Sequence, residues 1–189
     1  MRRTITRLAA VAVGTALLTG TLAGAAFAEG TPVAVELSPS TTGLTISQPA
    51  TAVTLRGGAA PGTTQTGSLG DTTVTDARGT LLGWTVTATT TDDLVSTTNA
   101  SHRISLGTTG AAGPLTVGVP SVTAVVGSLL AGVAPGVGGS LNPTTPVVIA
   151  TALTGLGGGT YSFNPSVELK VPANTYAETY RTVVVQTIA

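Results

Sequence analysis

Residues 83–90 read GWTVTATT, placing Trp84, Val86 and Ala88 on one side of an extended backbone and Thr85, Thr87 and Thr89 on the other. Alternation with a period of two marks a half-buried β-strand. Threonine and valine recur throughout the chain, and their branched Cβ atoms suit a pleated sheet better than a helix. Residues 166–171 repeat the pattern, with Val167, Leu169 and Val171 set against Glu168 and Lys170. Residues 180–188 read as one more strand. Val183, Val184 and Val185 are consecutive there, which predicts a strand covered on both faces. Further strands are predicted at 33–37, 44–47, 52–55, 72–76, 103–106, 122–126 and 147–151. Proline and glycine turn signals separate them, including Pro49, Pro61-Gly62, Ala77-Arg78-Gly79, Pro135-Gly136 and Asn164-Pro165. The segment 121–134 could form a short apolar helix, but its valines and glycines favour strand. The expected fold is all-β: a β-sandwich of nine or ten short, mainly antiparallel strands.

The first 28 residues read differently. Arg2, Arg3 and Arg7 precede an uncharged apolar stretch at 8–27, and Ala26-Phe27-Ala28 supplies the small residues of a cleavage site. This is the order of a secretory signal peptide, with cleavage expected after Ala28. Residues 29–189 are then expected to form a single domain. They carry 5 basic and 8 acidic residues, a formal charge of −3. That balance offers no basic stripe for nucleic acid. No apolar run after the signal is long enough to span a membrane. There is no cysteine, hence no disulfide framework and no lipid-modified thiol.

Residues that carry chemistry are few. His102 is the only histidine and sits beside Arg103 in a polar stretch, where it reads as a solvated loop residue. No G-x-S-x-G elbow accompanies it. One histidine without cysteine does not supply the ligand set of a zinc site. The acids Asp71, Asp76, Asp92 and Asp93 lack the spacing of a calcium loop. The glycine runs near Gly136 and Gly155 match no nucleotide fingerprint and read as loops. The Thr-x-Thr patterns lack the fixed period of an ice-binding solenoid and read as exposed strand faces. No catalytic residue, metal or cofactor is implied, and the chain reads as a non-enzyme.

Val74, Asp76, Arg78 and Gly79, followed by Trp84-Thr85-Val86, form a V-x-D-x-R-G turn leading into a tryptophan strand. Val171-Pro172-Ala173, then Ala177 to Tyr180 and the terminal Gln186-Thr187-Ile188, follow the order of a second half-motif. Upstream, Gly43-Leu44-Thr45-Ile46 leads to Pro49 as an opening strand would. Across residues 44–188 this pattern resembles the WxL-domain family of Gram-positive cell-surface proteins, particularly its actinobacterial branch. Val86 stands where that family usually has leucine, Glu178 where it has glycine, and Gln186 where its second tryptophan falls. The resemblance implies a secreted β-sandwich-like domain held non-covalently at the cell wall, with peptidoglycan as ligand. It singles out Trp84, Val86, Asp76, Arg78, Tyr180, Gln186 and Ile188 as ligand-binding or core-motif positions. Trp84 itself has two readings: a core anchor between sheets, or an exposed platform for sugar rings.

Two functions therefore stand side by side. One is a secreted, non-catalytic surface protein bound to peptidoglycan or to another surface protein. The other is a self-associating subunit of a surface layer or fibre, for which low charge and flat β-segments would supply sheet-edge contacts. An unpaired, uncharged edge near Val183–Val185 would favour assembly. A secreted hydrolase ranks below both because the catalytic constellations are missing.

Overall fold

The computed structural model describes residues 43–49, 55–57, 60–107, 113–125, 128 and 131–189. The expected signal segment, the expected strand at 33–37 and most of 52–55 lie outside the described residues. The described residues belong to one compact unit. The described residues contain no helix, and sixteen short strands make four antiparallel sheets.

The strands are β1 (Leu44–Ser47), β2 (Arg56–Gly57), β3 (Thr64–Ser68), β4 (Thr72–Asp76), β5 (Trp84–Thr90), β6 (Leu94–Ser96), β7 (Arg103–Ile104) and β8 (Leu115–Val117). They continue with β9 (Val122–Ala124), β10 (Val133–Pro135), β11 (Gly139–Ser140), β12 (Val147–Ala152), β13 (Gly159–Phe163), β14 (Ser166–Lys170), β15 (Tyr180–Arg181) and β16 (Val184–Ile188). One sheet runs β1-β4-β13-β9, and a second runs β2-β3-β14-β8-β11. The third runs β10-β12-β5-β16 and the fourth β15-β6-β7. Segment 121–134 contributes β9 and β10.

The number of strands exceeds expectation because β2, β3, β6, β8, β11 and β13 form where no strand is predicted and because the strand predicted at 180–188 breaks in two. Several strands also turn corners. β3 runs into β4 across 69–71, while its partner path runs from β13 to β14 across Asn164 and Pro165. Ser68 pairs with Ser166 and Thr72 with Phe163, so three residues oppose two at the bend. An extra residue of this kind bends a ladder and lets strands pass from one sheet to the next. The corner is bonded internally. The Leu69 amide donates to the Pro165 carbonyl at 2.9 Å, Asn164 Nδ2 donates to Asp71 Oδ1 at 2.9 Å, and the Ser68 hydroxyl donates to Asn164 Oδ1. β8 and β9 follow the same bend through 118–121, with the Gly118 amide bonded to the Ser166 carbonyl.

A second corner breaks the predicted strand at 180–188 into β15 and β16. There the Thr91 amide donates to the Val183 carbonyl at 2.9 Å and the Thr182 hydroxyl to the Asp92 carbonyl at 2.8 Å. The expectation of two covered faces fails here. Val183 is 59% exposed and Val185 38%, because the bend turns Val183 outward and β16 alternates like an ordinary two-faced strand.

Alternation sets the core. Trp84, Val86 and Ala88 point inward from β5 while Thr85, Thr87 and Thr89 point out, and Thr87 meets Thr187 across the ladder at 2.9 Å. Val74 on β4 and Tyr161 and Phe163 on β13 are buried opposite them. A bulge at Ile149 leaves it and Ala150 both buried. Leu115, Val117, Val167 and Leu169 extend the apolar interior beneath the second sheet. Polar links also cross between sheets: Gln186 Nε2 on β16 donates to Thr72 Oγ1 on β4 at 3.2 Å, and both residues are buried.

Thr90 ends the inward row of β5. Its buried hydroxyl has no hydrogen-bond partner. A buried polar group without a partner costs about 1–3 kcal/mol, and valine has nearly the same shape. Thr90→Val is expected to gain about 1 kcal/mol, raising Tm by about 2–4 °C for a domain of this size. Thermal unfolding followed by circular dichroism checks it; an unchanged or lowered Tm contradicts it.

Candidate binding site

Asp76 ends β4 and is 4% exposed. Its carboxylate accepts from Arg78 twice, Nε to Oδ1 and Nη2 to Oδ2, both at 2.9 Å. It also accepts the Arg78 backbone amide at 3.1 Å, closing a tight turn. Arg78 Nη2 reaches on to the Gly83 carbonyl at 2.6 Å, fixing the residue that precedes Trp84. The guanidinium holds the Asp76 carboxyl below the usual aspartate range despite the opposing effect of burial. Trp84 is 3% exposed; its indole Nε1 donates to the Gly157 carbonyl at 2.9 Å. Tyr161 packs against it with ring centroids 5.7 Å apart and donates its hydroxyl to the Gly158 carbonyl at 2.9 Å. Burial raises the Tyr161 pKa, and the Asp76 charge adds to the rise.

These residues form an internal bracket. Trp84 has no face free for a sugar ring, so of its two readings the structure realises the core anchor. Val86 is fully buried behind it and pairs with Ile188, while Gln186 pairs with Ala88. Gln186 faces the interior, and its amide bonds Thr72. The structure thus brings Asp76, Arg78 and Trp84 together and sets Val86, Gln186 and Ile188 on the adjoining inner face of the same sheet region. Tyr180 lies apart from them, on β15.

Tyr180 borders a cleft of about 1010 Å³ between the β2-β3-β14-β8-β11 and β15-β6-β7 sheets. Leu94, Ile104, Leu115, Val167 and Leu169 supply apolar lining, and Asp92, Glu178 and Arg181 supply charge. At this cleft Tyr176 is 62% exposed and stacks on the His102 imidazole, with centroids 3.9 Å apart and planes 11° from parallel. His102 is therefore no free loop residue, as its polar sequence surroundings suggest. Its Nδ1 lies 3.0 Å from Glu178 Oε1, and its Nε2 lies 3.3 Å from Asn99 Nδ2. The other oxygen of Glu178 accepts the Ser96 hydroxyl. Ser96 Oγ in turn accepts the amides of Thr98 at 3.1 Å and Asn99 at 3.2 Å. The Ser96 bond first, and His102 second, lower the Glu178 pKa. Tyr180 completes the group by donating its hydroxyl to the Tyr176 carbonyl at 3.2 Å.

Serine, histidine and glutamate meet here, but in an order that does not activate the serine. A catalytic triad needs the imidazole between hydroxyl and carboxylate. Here the carboxylate stands in the middle, the serine proton is committed to it, and two backbone amides occupy the serine oxygen. A carboxylate of lowered pKa is also a weak base. What the chain of bonds does is hold the imidazole, and through it one face of Tyr176. Among the described residues, no three acidic or histidine side chains are grouped to hold a metal, and no helix is long and apolar enough to cross a membrane.

The sequence gives little warning of this cluster, because Ser96, His102 and Tyr176–Glu178 are far apart in the chain and match no spacing rule. The one available signal is Glu178, which interrupts the resemblance where glycine is expected. Asp92 and Asp93 lie at the corner beside the cleft: Asp92 pairs with Arg103 at 3.2 Å, and Asp93 accepts the Leu106 amide at 2.8 Å. Compared with protein-family models, with curated proteins and with solved structures, the chain finds no match.

Proposed function

We propose that the chain is a secreted, non-catalytic β-sandwich module of the WxL type that binds the glycan of the bacterial cell wall through Tyr176. The observation that carries this reading is the Tyr176 platform. An exposed aromatic ring, backed by His102 and fixed by Glu178 and Ser96, presents a flat apolar face of the kind that stacks on a sugar ring. Asp92, Arg181 and Thr182 beside it offer hydrogen bonds to hydroxyl and amide groups. Pre-ordering the ring lowers the entropy lost on binding. The signal-like N-terminus and the Asp76–Arg78–Trp84 arrangement support the rest.

Tyr176→Ala is expected to weaken co-sedimentation with purified peptidoglycan at least tenfold while leaving the melting curve in place, since the side chain is mostly outside the core. Equal pelleting of the variant and the parent protein overturns the assignment of the site.

β16 favours a second reading, the self-assembling subunit. It is the edge of its sheet, is uncharged, and exposes Val185, with Val183 exposed just before it. The edge is partly capped, because Gln48 Nε2 donates to the Gln186 carbonyl at 3.0 Å. Concentration-dependent growth in sedimentation velocity supports this reading, and a monomer at all concentrations removes it.

A further inference from the structure

At the end of the fold opposite the cleft corners, the loop before β5 and the loop after β12 lie side by side. The Gly155 amide donates to the Leu81 carbonyl at 2.6 Å, and the Thr154 hydroxyl donates to the Leu82 carbonyl at 3.3 Å. Gly83 sits so close to β12 that a Cβ there would fall 2.5 Å from the Ala152 carbonyl oxygen. The Arg78 guanidinium grips the same Gly83 from the other side. Two loops tied this way form one ledge, and the ledge carries leucines outward. Leu82 is 65% exposed, Leu153 62%, Leu81 41% and Leu156 38%.

Nothing about this arrangement is what a solvated loop end requires. Leu81 has φ +50°, a left-handed conformation that costs a branched side chain and that surface loops normally give to glycine or asparagine. Neither loop, GTLLG at 79–83 nor LTGLGG at 153–158, contains a charged residue. The nearest charges described, Asp76 and Arg78, neutralise each other. Contiguous exposed leucines mark an interaction surface.

We infer that this leucine ledge docks on a lipid surface, inserting Leu82 and Leu153 among the headgroups and upper acyl chains. Area favours lipid over a protein partner. The four exposures together amount to about two whole leucine side chains, far below the roughly 800 Å² per partner that a stable protein interface buries. A bilayer sets no such minimum, and its affinity grows with the apolar area inserted. Lack of charge on the ledge means that attraction to anionic headgroups contributes nothing. Binding is therefore indifferent to salt and to lipid charge. The inference is independent of wall binding, which uses the other end of the molecule.

The test places a reporter at the site. Leu82→Trp is mixed with vesicles of neutral phosphatidylcholine carrying brominated acyl chains. Bromine quenches only an indole that reaches the chains, so the apolar stretch at 8–27 cannot imitate the signal, and the buried Trp84 of the parent protein gives the baseline. The added emission is expected to be quenched by at least half, equally at low and high salt. Adding Leu153→Asp should weaken vesicle partition at least tenfold. Emission that stays unquenched, or quenching that needs anionic lipid, overturns the inference. So does a concentration-dependent dimer in sedimentation equilibrium that Leu153→Asp abolishes, since the ledge would then be a contact between copies.

Discussion

Trp84→Ala is expected to destabilise the protein by about 3–5 kcal/mol, the range for removing a large aromatic from a core. Two losses combine. The cavity opens against Tyr161 and the inner face of β12, and the Gly157 carbonyl loses the indole that satisfies it. For a chain of this length the corresponding fall in Tm is about 6–20 °C. Trp84→Phe keeps most of the packing but drops the hydrogen bond, so it should cost about 1–3 kcal/mol. Chemical denaturation of the three proteins gives the comparison. A Trp84→Ala variant within 1 °C of the parent would mean that the indole is not a core anchor.

Asp76→Asn should cost about 3 kcal/mol, because it leaves the Arg78 guanidinium without its bidentate partner in a mostly buried position. The effect depends on pH with a definite sign. Arg78 lowers the Asp76 pKa in the folded state, so the carboxylate contributes stability above its ordinary value of 3.8 and loses that contribution as pH falls through the lower folded value. The parent protein should therefore weaken on acidification below about pH 4. The Asn variant should be less stable at neutral pH and show a shallower acid limb. Parallel acid limbs would contradict the ion-pair account.

Both substitutions fall on residues that the sequence pattern marks together, and the reason they are legible is local. Val74, Asp76, Arg78 and Gly79 make a turn within six residues, and Trp84-Thr85-Val86 declares its inward face by alternation alone. β1 and β4 have the predicted bounds for the same reason. β3 escapes prediction because TQTGS is a polar, glycine-bearing segment whose strand character comes from pairing with β14, and β13 because its alternation of Tyr161 and Phe163 with Thr160 and Ser162 is short and follows the glycine run at 157–159. The corners are equally hidden: residues 180–188 carry no proline or glycine, yet the strand breaks at Thr182 and Val183 because β5 and β6 bend beside it. Tertiary pairing overrides the local pattern there. The Tyr176 platform is the least legible part. It depends on Glu178 reaching His102 and Ser96 across 76 and 82 residues, contacts that no spacing in one sequence encodes.

The same division separates scaffold from contact surfaces. Of the residues most conspicuous in the sequence, Trp84 and Asp76 are buried and Arg78 half-buried, and together they hold the loop at 79–83 in place. The contact surfaces proposed above lie where the bracket and the corners present them: the tyrosine platform at the cleft and the leucine ledge at the other end.

The most direct measurement is co-sedimentation of the protein with purified peptidoglycan at physiological salt. If Tyr176 is a glycan platform, the protein appears in the pellet and is displaced by soluble wall fragments. Complete recovery in the supernatant, from a sample whose melting curve shows it folded, would contradict the assignment.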